Sequence, residues 1–247
     1  MSGHSKWATI RRAKEKTDAK KGQVFTKVTK DIILAAKGGG DPNLNARLRA
    51  VIAKAKACNM PNDKIETAIK KGTGELAGGE VFEMMYEGYA QGGVAMLVEV
   101  ATDNKNRTIA DVRHIIGKGG GNMGEPGSVA WMFDKRGVLS FDAAKYTEDQ
   151  IMEVALEAGA DDVVVEEDSI EVRSAPEDYS TVEKAFEAAG IVPESSELTM
   201  VPKNLTPVDA ATARKVMNLM ENLEENEDVS AVYVTADFTD EIMEELG

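Results

Sequence analysis

Cysteine is almost absent from this sequence. Cys58 is the only one in 247 residues, so no intrachain disulfide can form and a reducing compartment is the expected setting. Histidine is nearly as scarce. His4 and His114 stand far apart with no cysteine cluster beside them, which argues against a zinc site. Aromatic residues make up 5% of the chain, and no aromatic-rich strand of the common RNA-binding modules is visible. Long apolar runs are missing too, which leaves no membrane span and no membrane partner to expect. Met1–Lys21 is basic but lacks the apolar stretch of a secretory signal, so the expected location is cytoplasmic.

Charge is abundant and unevenly placed. The net charge of −14 conceals a first segment, Met1–Gly72, that holds 17 of the 29 Lys/Arg and 6 of the 43 Asp/Glu, a local net of +11. The rest holds 12 basic and 37 acidic residues, a net of −25. Screening confines electrostatic attraction to about 10 Å, so a local basic patch can grip a polyanion although the whole chain is acidic. Such a segment fits nucleic-acid phosphates, DNA or ribosomal and transfer RNA alike. The acidic remainder suits a basic protein partner.

Residues 1–18 read as an arm. A helix follows to Lys37 and ends at Gly38-Gly39-Gly40, with Phe25, Val28, Ile32 and Ala35 on one side. Lys20, Lys27, Lys30 and Lys37 fall on nearly the opposite side, as an outward basic face. A second helix is expected to start with Asp41 as cap and Pro42 in its first turn. Leu44, Leu48, Val51 and Ala55 mark its core stripe, with Arg47, Arg49, Lys54 and Lys56 outside. A third helix, Asp63–Lys71, is closed by Gly72. Gly72–Gly79 reads as a linker, and strands follow at Val81–Tyr89 and Val94–Thr102. Next come a helix over Arg107–Lys118, a glycine-rich loop and a strand at Ser128–Phe133.

From 136 to 202 a strand–helix–strand pattern occurs twice, with Thr147 and Gln150 spaced as a capping box, and it suggests a ferredoxin-like module. Thr206 and Pro207 should open the next helix, and Val229–Ala236 should be a strand that rejoins the first sheet. The expected architecture is α+β and multidomain. A basic arm and helical bundle (1–75) precede two α/β ferredoxin-like sandwich domains, 76–135 plus 203–247 and an insertion at 136–202.

Few residues point to chemistry. Gly119, Gly121 and Gly124 satisfy GxGxxG, but the motif follows a helix rather than a strand, so a dinucleotide site is excluded. A glycine loop approaching phosphate is the functional alternative. Cys58 reads as a packed side chain, and acidic pairs such as Asp161-Asp162 or Glu166-Glu167 as solvated. No catalytic residue, metal or cofactor is expected. The candidate nucleic-acid contacts are instead basic. In the arm and first helix they are Lys6, Trp7, Arg11, Arg12, Lys14, Lys20, Lys21, Lys27 and Lys30. On the later helix they are Lys105, Asn106, Arg107, His114 and Lys118. Arg107, His114 and Lys118 lie within about 20° of one line, opposite Ile109, Val112 and Ile116.

Several segments are familiar together: GHSKWATI (Gly3–Ile10), GQVFTKVTKDI (Gly22–Ile32), GGGDPNLNARLR (Gly38–Arg49), NMPNDKIETAIKKGTGE (Asn59–Glu75) and TDNKNRTIADVRHIIGKGGGNMGEPGSVAWMF (Thr102–Phe133). With the closing DVSAVYVTADF (Asp228–Phe238), a looser match, they span the chain and resemble the YebC family of transcriptional regulatory proteins, related to mitochondrial translational activators of cytochrome c oxidase. Ala90-Gln91 stands where that family usually has Gly-Pro. The resemblance implies three domains and a non-enzymatic, nucleic-acid-binding regulator of gene expression; a monomer is expected. The target is expected to be DNA in transcription or, alternatively, RNA on the ribosome in translation.

Overall fold

The computed structural model describes residues 21–166 and 168–246. They form two compact units, Phe133–Lys203 and the remainder on either side of it in sequence.

The larger unit starts with three helices: α1 (Lys21–Ala36), α2 (Ala46–Ala57) and α3 (Asn62–Thr73). Val28, Ile32, Leu48, Ala55, Ile65 and Ala68 close their shared core, each at most 5% exposed. Val81 and Ala101 belong to the same cluster, so the bundle is packed onto the β-structure that follows it. Gly72 does not end α3; it lies inside the helix, and Gly74 in the left-handed conformation (φ 82°) caps it. A Cβ on Gly72 would meet the Ile33 carbonyl oxygen at 2.5 Å, so the residue lets α1 and α3 cross closely. The start of α2 also differs from expectation. Asp41 instead closes a local turn onto the Asn43 amide, and Asn45 is the cap, accepting from Leu48 N at 3.0 Å. Asn45 also donates to the carbonyls of Ala35 and Gly39, both at 2.8 Å, which ties the end of α1 to the start of α2. Leu44 is thereby left 88% exposed, outside the core.

β1 (Phe82–Tyr89) and β2 (Ala95–Thr102) form an antiparallel hairpin. They are followed by α4 (Lys105–Lys118) and β3 (Asn122–Met123). After the smaller unit come β8 (Thr206–Pro207), α7 (Ala210–Glu224), β9 (Val229–Val234), β10 (Ala236–Asp237) and the unforeseen α8 (Asp240–Leu246). The sheet order is β3-β1-β2-β9, with β8 and β10 as a separate parallel pair. Two strands begin this sheet with no helix between them, which departs from ferredoxin-like connectivity. Thr206 and Pro207 are β rather than helical because Thr206 pairs with the C-terminal strand; Asp209 caps α7, accepting from Thr212 N at 2.7 Å. Val98, Val112, Ile116, Val216, Leu219, Leu223 and Val232 fill the core between sheet and helices.

The smaller unit holds β4 (Phe133–Asp142), α5 (Glu148–Glu157), β5 (Asp162–Val165), β6 (Ser169–Ser174), α6 (Tyr179–Ala188) and β7 (Ser195–Pro202). Its sheet runs β5-β6-β4-β7, antiparallel throughout. Leu139, Phe141, Ile151, Val172, Val182 and Phe186 form its core. The Thr147/Gln150 capping box is present. The strand expected at Ser128–Phe133 is replaced by a short helical turn, Ala130–Met132, and β4 begins only at Phe133.

Candidate nucleic-acid interface

Lys27, Lys30 and Lys37 do not form a free outward face. Lys27 donates to the Glu224 carbonyl, Lys30 is ion-paired with Asp228, and Lys37 donates to the Val81 carbonyl at 2.6 Å. All three partners lie outside the bundle, in the part of the unit on which α1 packs. The physical reason is complementary charge: an acidic body presents carboxylate and carbonyl oxygens to a basic helix packed beside it. Lys6, Trp7, Arg11, Arg12, Lys14 and Lys20 lie outside the described residues, as does Glu167; Lys21 opens α1.

The second and third helices carry cations of a different kind. Arg47 forms a paired contact with Glu83, and Lys54 sits 3.8 Å from Asp31. Arg49 donates only to the Pro42 carbonyl, at 3.3 Å, and the Lys64 ammonium lies 5.8 Å above the Phe25 ring. Lys56, Lys70 and Lys71 are exposed, with no ion-pair partner among the described residues. Arg49 and Lys56 are seven residues apart on α2, as are Lys64 and Lys71 on α3, so each pair lies along one side of its helix. These residues were missing from the candidate contacts, although the Arg47–Lys56 pattern had already placed several of them outside the core.

On α4 the Asn104 side chain caps the helix by accepting from Arg107 N at 3.1 Å, while Thr108, Val112 and Ile116 are buried. Lys105, Asn106, Arg107, His114 and Lys118 are all exposed, so the stripe reaches solvent. Its members differ in what they can offer. The Lys105 ammonium stands 3.8 Å over the Phe82 ring. Arg107, 41% exposed, is bound to Asp103 at 3.0 Å and Asp228 at 2.8 Å. His114 and Lys118 have no partner among the described residues, nor does the exposed Arg113 beside them.

Asp228 is the joint of this region. Its side chain is 1% exposed and receives Lys30, Arg107 and the Thr108 hydroxyl, the last at 2.8 Å. Burial pushes its carboxyl upward, but these hydrogen bonds outweigh that and hold it below the usual aspartate range.

A second buried carboxylate organises the loop after α4. Glu87 on β1 accepts from Gly127 N at 2.6 Å and from Val129 N and Ala130 N at 2.7 Å. Burial raises its carboxyl, and the three amides overcome that and lower it. The glycines of the fingerprint are filled by the chain itself. A Cβ on Gly119 would meet Leu219 Cδ1 at 2.7 Å, and one on Gly121 would meet the Tyr89 carbonyl at 2.5 Å. Close self-packing is the reason glycine stands at these positions. Beyond them stands Trp131, 66% exposed, whose indole N–H donates to the Ser128 carbonyl at 3.1 Å. Tyr89 Oη donates to the same carbonyl at 3.4 Å. Sequence alone does not single out Trp131, since its exposure depends on the loop's clamping.

Among the described residues no group of His, Cys, Asp and Glu is arranged to hold a metal ion, and no helix is long and apolar enough to cross a membrane. Cys58 is half-buried at the end of α2.

Residues 5–75 match the family model of the TACO1/YebC protein N-terminal domain, and residues 81–236 match that of the TACO1/YebC second and third domain. A relative in Maridesulfovibrio salexigens, called a probable transcriptional regulatory protein, is 67% identical over 100% of this chain and 99% of its own. One of the same name in Solidesulfovibrio magneticus is 54% identical over 98% and 99%. The crystal structure of a conserved hypothetical protein from Aquifex aeolicus, 41% identical, superposes with a TM-score of 0.81 over 89% of this chain and 91% of that one.

Proposed function

We propose that this chain, which belongs to the TACO1/YebC family, is a non-catalytic regulator that binds nucleic acid through the outward cations of α2 and α3. The carrying observation is the set of exposed cations at Arg49, Lys56, Lys64, Lys70 and Lys71, none of them paired with a carboxylate among the described residues. In a chain of net charge −14, carboxylates are plentiful, and Lys30 and Arg107 are both held by one. Cations left without one are available to phosphate, and releasing counterions from a polyanion supplies the affinity. His114, Lys118 and Arg113 add a second, smaller basic area on α4. The relatives' names support regulation of transcription, hence DNA as target; RNA in translation would use the same cations.

The test is equilibrium binding of the full chain to duplex DNA and to RNA of matching sequence across a salt series. Replacing Lys56, Lys64, Lys70 and Lys71 by Ala should weaken binding to every sequence. Each lost duplex contact should flatten the slope of log K against log salt by about 0.9, or about 0.7 for single strands. A quadruple variant that binds with unchanged affinity and slope would overturn the assignment. Tighter binding to DNA than to RNA supports the transcriptional reading, and the reverse order supports translation.

A further inference from the structure

Trp131 is a costly residue to leave in water. An indole can bury 150–250 Å² and usually does so, yet here about two thirds of its surface is exposed. It is not exposed through looseness. It sits in the turn Ala130–Met132, and the amides of Val129 and Ala130 are both held by Glu87 Oε2 at 2.7 Å, with Gly127 N on Oε1. A buried carboxylate bound by three amides fixes the turn's backbone. The indole N–H is itself satisfied by Ser128 O, so the ring's one polar group is already engaged. What remains free is the π-face. Tyr89 donates to the same carbonyl oxygen, which places a second aromatic side chain in the same corner. The chain between, Gly119–Met123, joins that corner to the end of α4, because Asn122 and Met123 pair with Tyr89 and Gly88. His114 and Lys118, without a partner among the described residues, therefore belong to the helix that runs directly into it.

We propose that Trp131, on a turn clamped by Glu87, is a stacking platform for an unpaired base of a single-stranded nucleic acid. The inference rests on the basic-surface reading above and narrows it. A rigid ring whose only donor is satisfied internally can contribute through its face, and every base has a π-face to meet it, so the contact is independent of sequence. Bases in an intact duplex are already stacked on one another and offer no face to a surface indole. Lys118 and His114 would hold the adjoining phosphates, as the charged walls of single-strand grooves do.

The chain contains two tryptophans, so Trp7→Phe leaves Trp131 as the sole indole reporter. Titrating this full-length variant with oligouridine or oligothymidine should quench its emission to saturation, and matched duplex should quench it far less. Trp131→Ala should weaken single-strand binding by about 5- to 100-fold while leaving duplex binding and the unfolding midpoint unchanged. Trp131→Phe should restore part of the affinity, and Trp131→Leu, apolar but without a π-face, should not. Single-strand affinity unchanged in Trp131→Ala, with the quadruple lysine variant still defective, would overturn the platform and leave the basic surface standing. Equal loss for single strand and duplex, or rescue by Leu, would also overturn it, because the ring would then be structural. Failure of the native chain to bind any of these nucleic acids would remove both readings.

Discussion

On α1, Lys27 and Lys30 reach the Glu224 carbonyl and the Asp228 carboxylate; on α3, Lys70 and Lys71 reach nothing among the described residues. Both pairs come from one bundle with one charge bias, yet they are on opposite sides of a division of labour. The α1 lysines hold the bundle against an acidic body, as Arg47 of α2 does through Glu83, whereas Arg49, Lys56, Lys64, Lys70 and Lys71 have no carboxylate partner among the described residues. A net charge of +11 in Met1–Gly72 therefore overstates the binding surface, since part of it is neutralised within the molecule. The same division runs through α4, where Arg107 is shared between Asp103 and Asp228 while His114 and Lys118 have no partner among the described residues.

The most severe way to break this comparison is to remove the joint. Asp228→Ala leaves Lys30, 12% exposed, without its counter-charge and Arg107 with Asp103 alone. Losing one partner of a buried ion pair typically destabilises by about 3–5 kcal/mol, and we expect that loss here in urea unfolding. Lys30→Ala should destabilise in the same sense. Lys71→Ala should leave stability within about 0.5 kcal/mol, as for most surface changes, and lower nucleic-acid affinity instead. If Lys30→Ala and Lys71→Ala behave alike in both assays, the division is wrong. The pH dependence follows from the direction of the Asp228 shift. Its folded carboxyl titrates below the ordinary aspartate value, so its stabilising contribution is complete above that value and is lost as pH falls through the folded pKa. The loss should therefore occur on the acid side of about pH 4 and be missing from Asp228→Ala.

A second break is local. Glu87→Gln keeps the size but replaces one oxygen with an amide donor, where Oε1 and Oε2 together receive three N–H groups. At least one buried amide must lose its acceptor, and the charge that strengthened the rest is gone. Destabilisation of about 2–4 kcal/mol is expected. Amide exchange should quicken first at Gly127, Val129 and Ala130, while the bundle amides keep their protection. Uniform acceleration across the chain would show that Glu87 supports the global fold rather than this turn.

Much of the scaffold is legible from periodicity and caps. The α1 core residues Phe25, Val28 and Ile32, the Thr147 capping box and the two strand–helix–strand passages of the smaller unit all follow from local rules. What local rules miss is decided by partners distant in sequence. Gly72 looks like a stop signal and is helical because Ile33 passes beside it. Thr206 looks like a cap and is β because residue 236 pairs with it. The candidate site shows the same limit. Exposure of Lys105, His114 and Lys118 is readable from helical phase, but the capture of Lys30 and Arg107 by Asp228, nearly 200 residues and more than 100 residues away in sequence, is not. Trp131 escapes for the same reason, since nothing adjacent to it reveals that Glu87 fixes its turn.

The smallest effect concerns a carboxylate at the same inner face that is held in the opposite way. Asp31 on α1 is half-buried, with Lys54 at 3.8 Å and the Ser230 hydroxyl at 3.5 Å; Glu99, on β2, accepts from Tyr233 Oη at 2.8 Å. Burial dominates at Asp31. It raises the carboxyl above the ordinary value, against weaker opposition from Lys54 and Arg47 and with Glu83 pushing the same way. Glu99 is raised for the same first reason, and Glu83 and Asp31 add to it. A raised folded pKa reverses the sign found at Asp228: stability is fullest below the unfolded value and declines as pH rises through the folded one. Asp31→Asn removes the penalised charge but keeps an oxygen for Ser230. It should therefore stabilise the chain at neutral pH by about 0.5 kcal/mol, with the gain vanishing below about pH 4. Unfolding midpoints of the native chain and the variant across that range measure it. A variant less stable at neutral pH would show that the Lys54 and Arg47 attractions outweigh burial, and that both carboxylates of this face act alike.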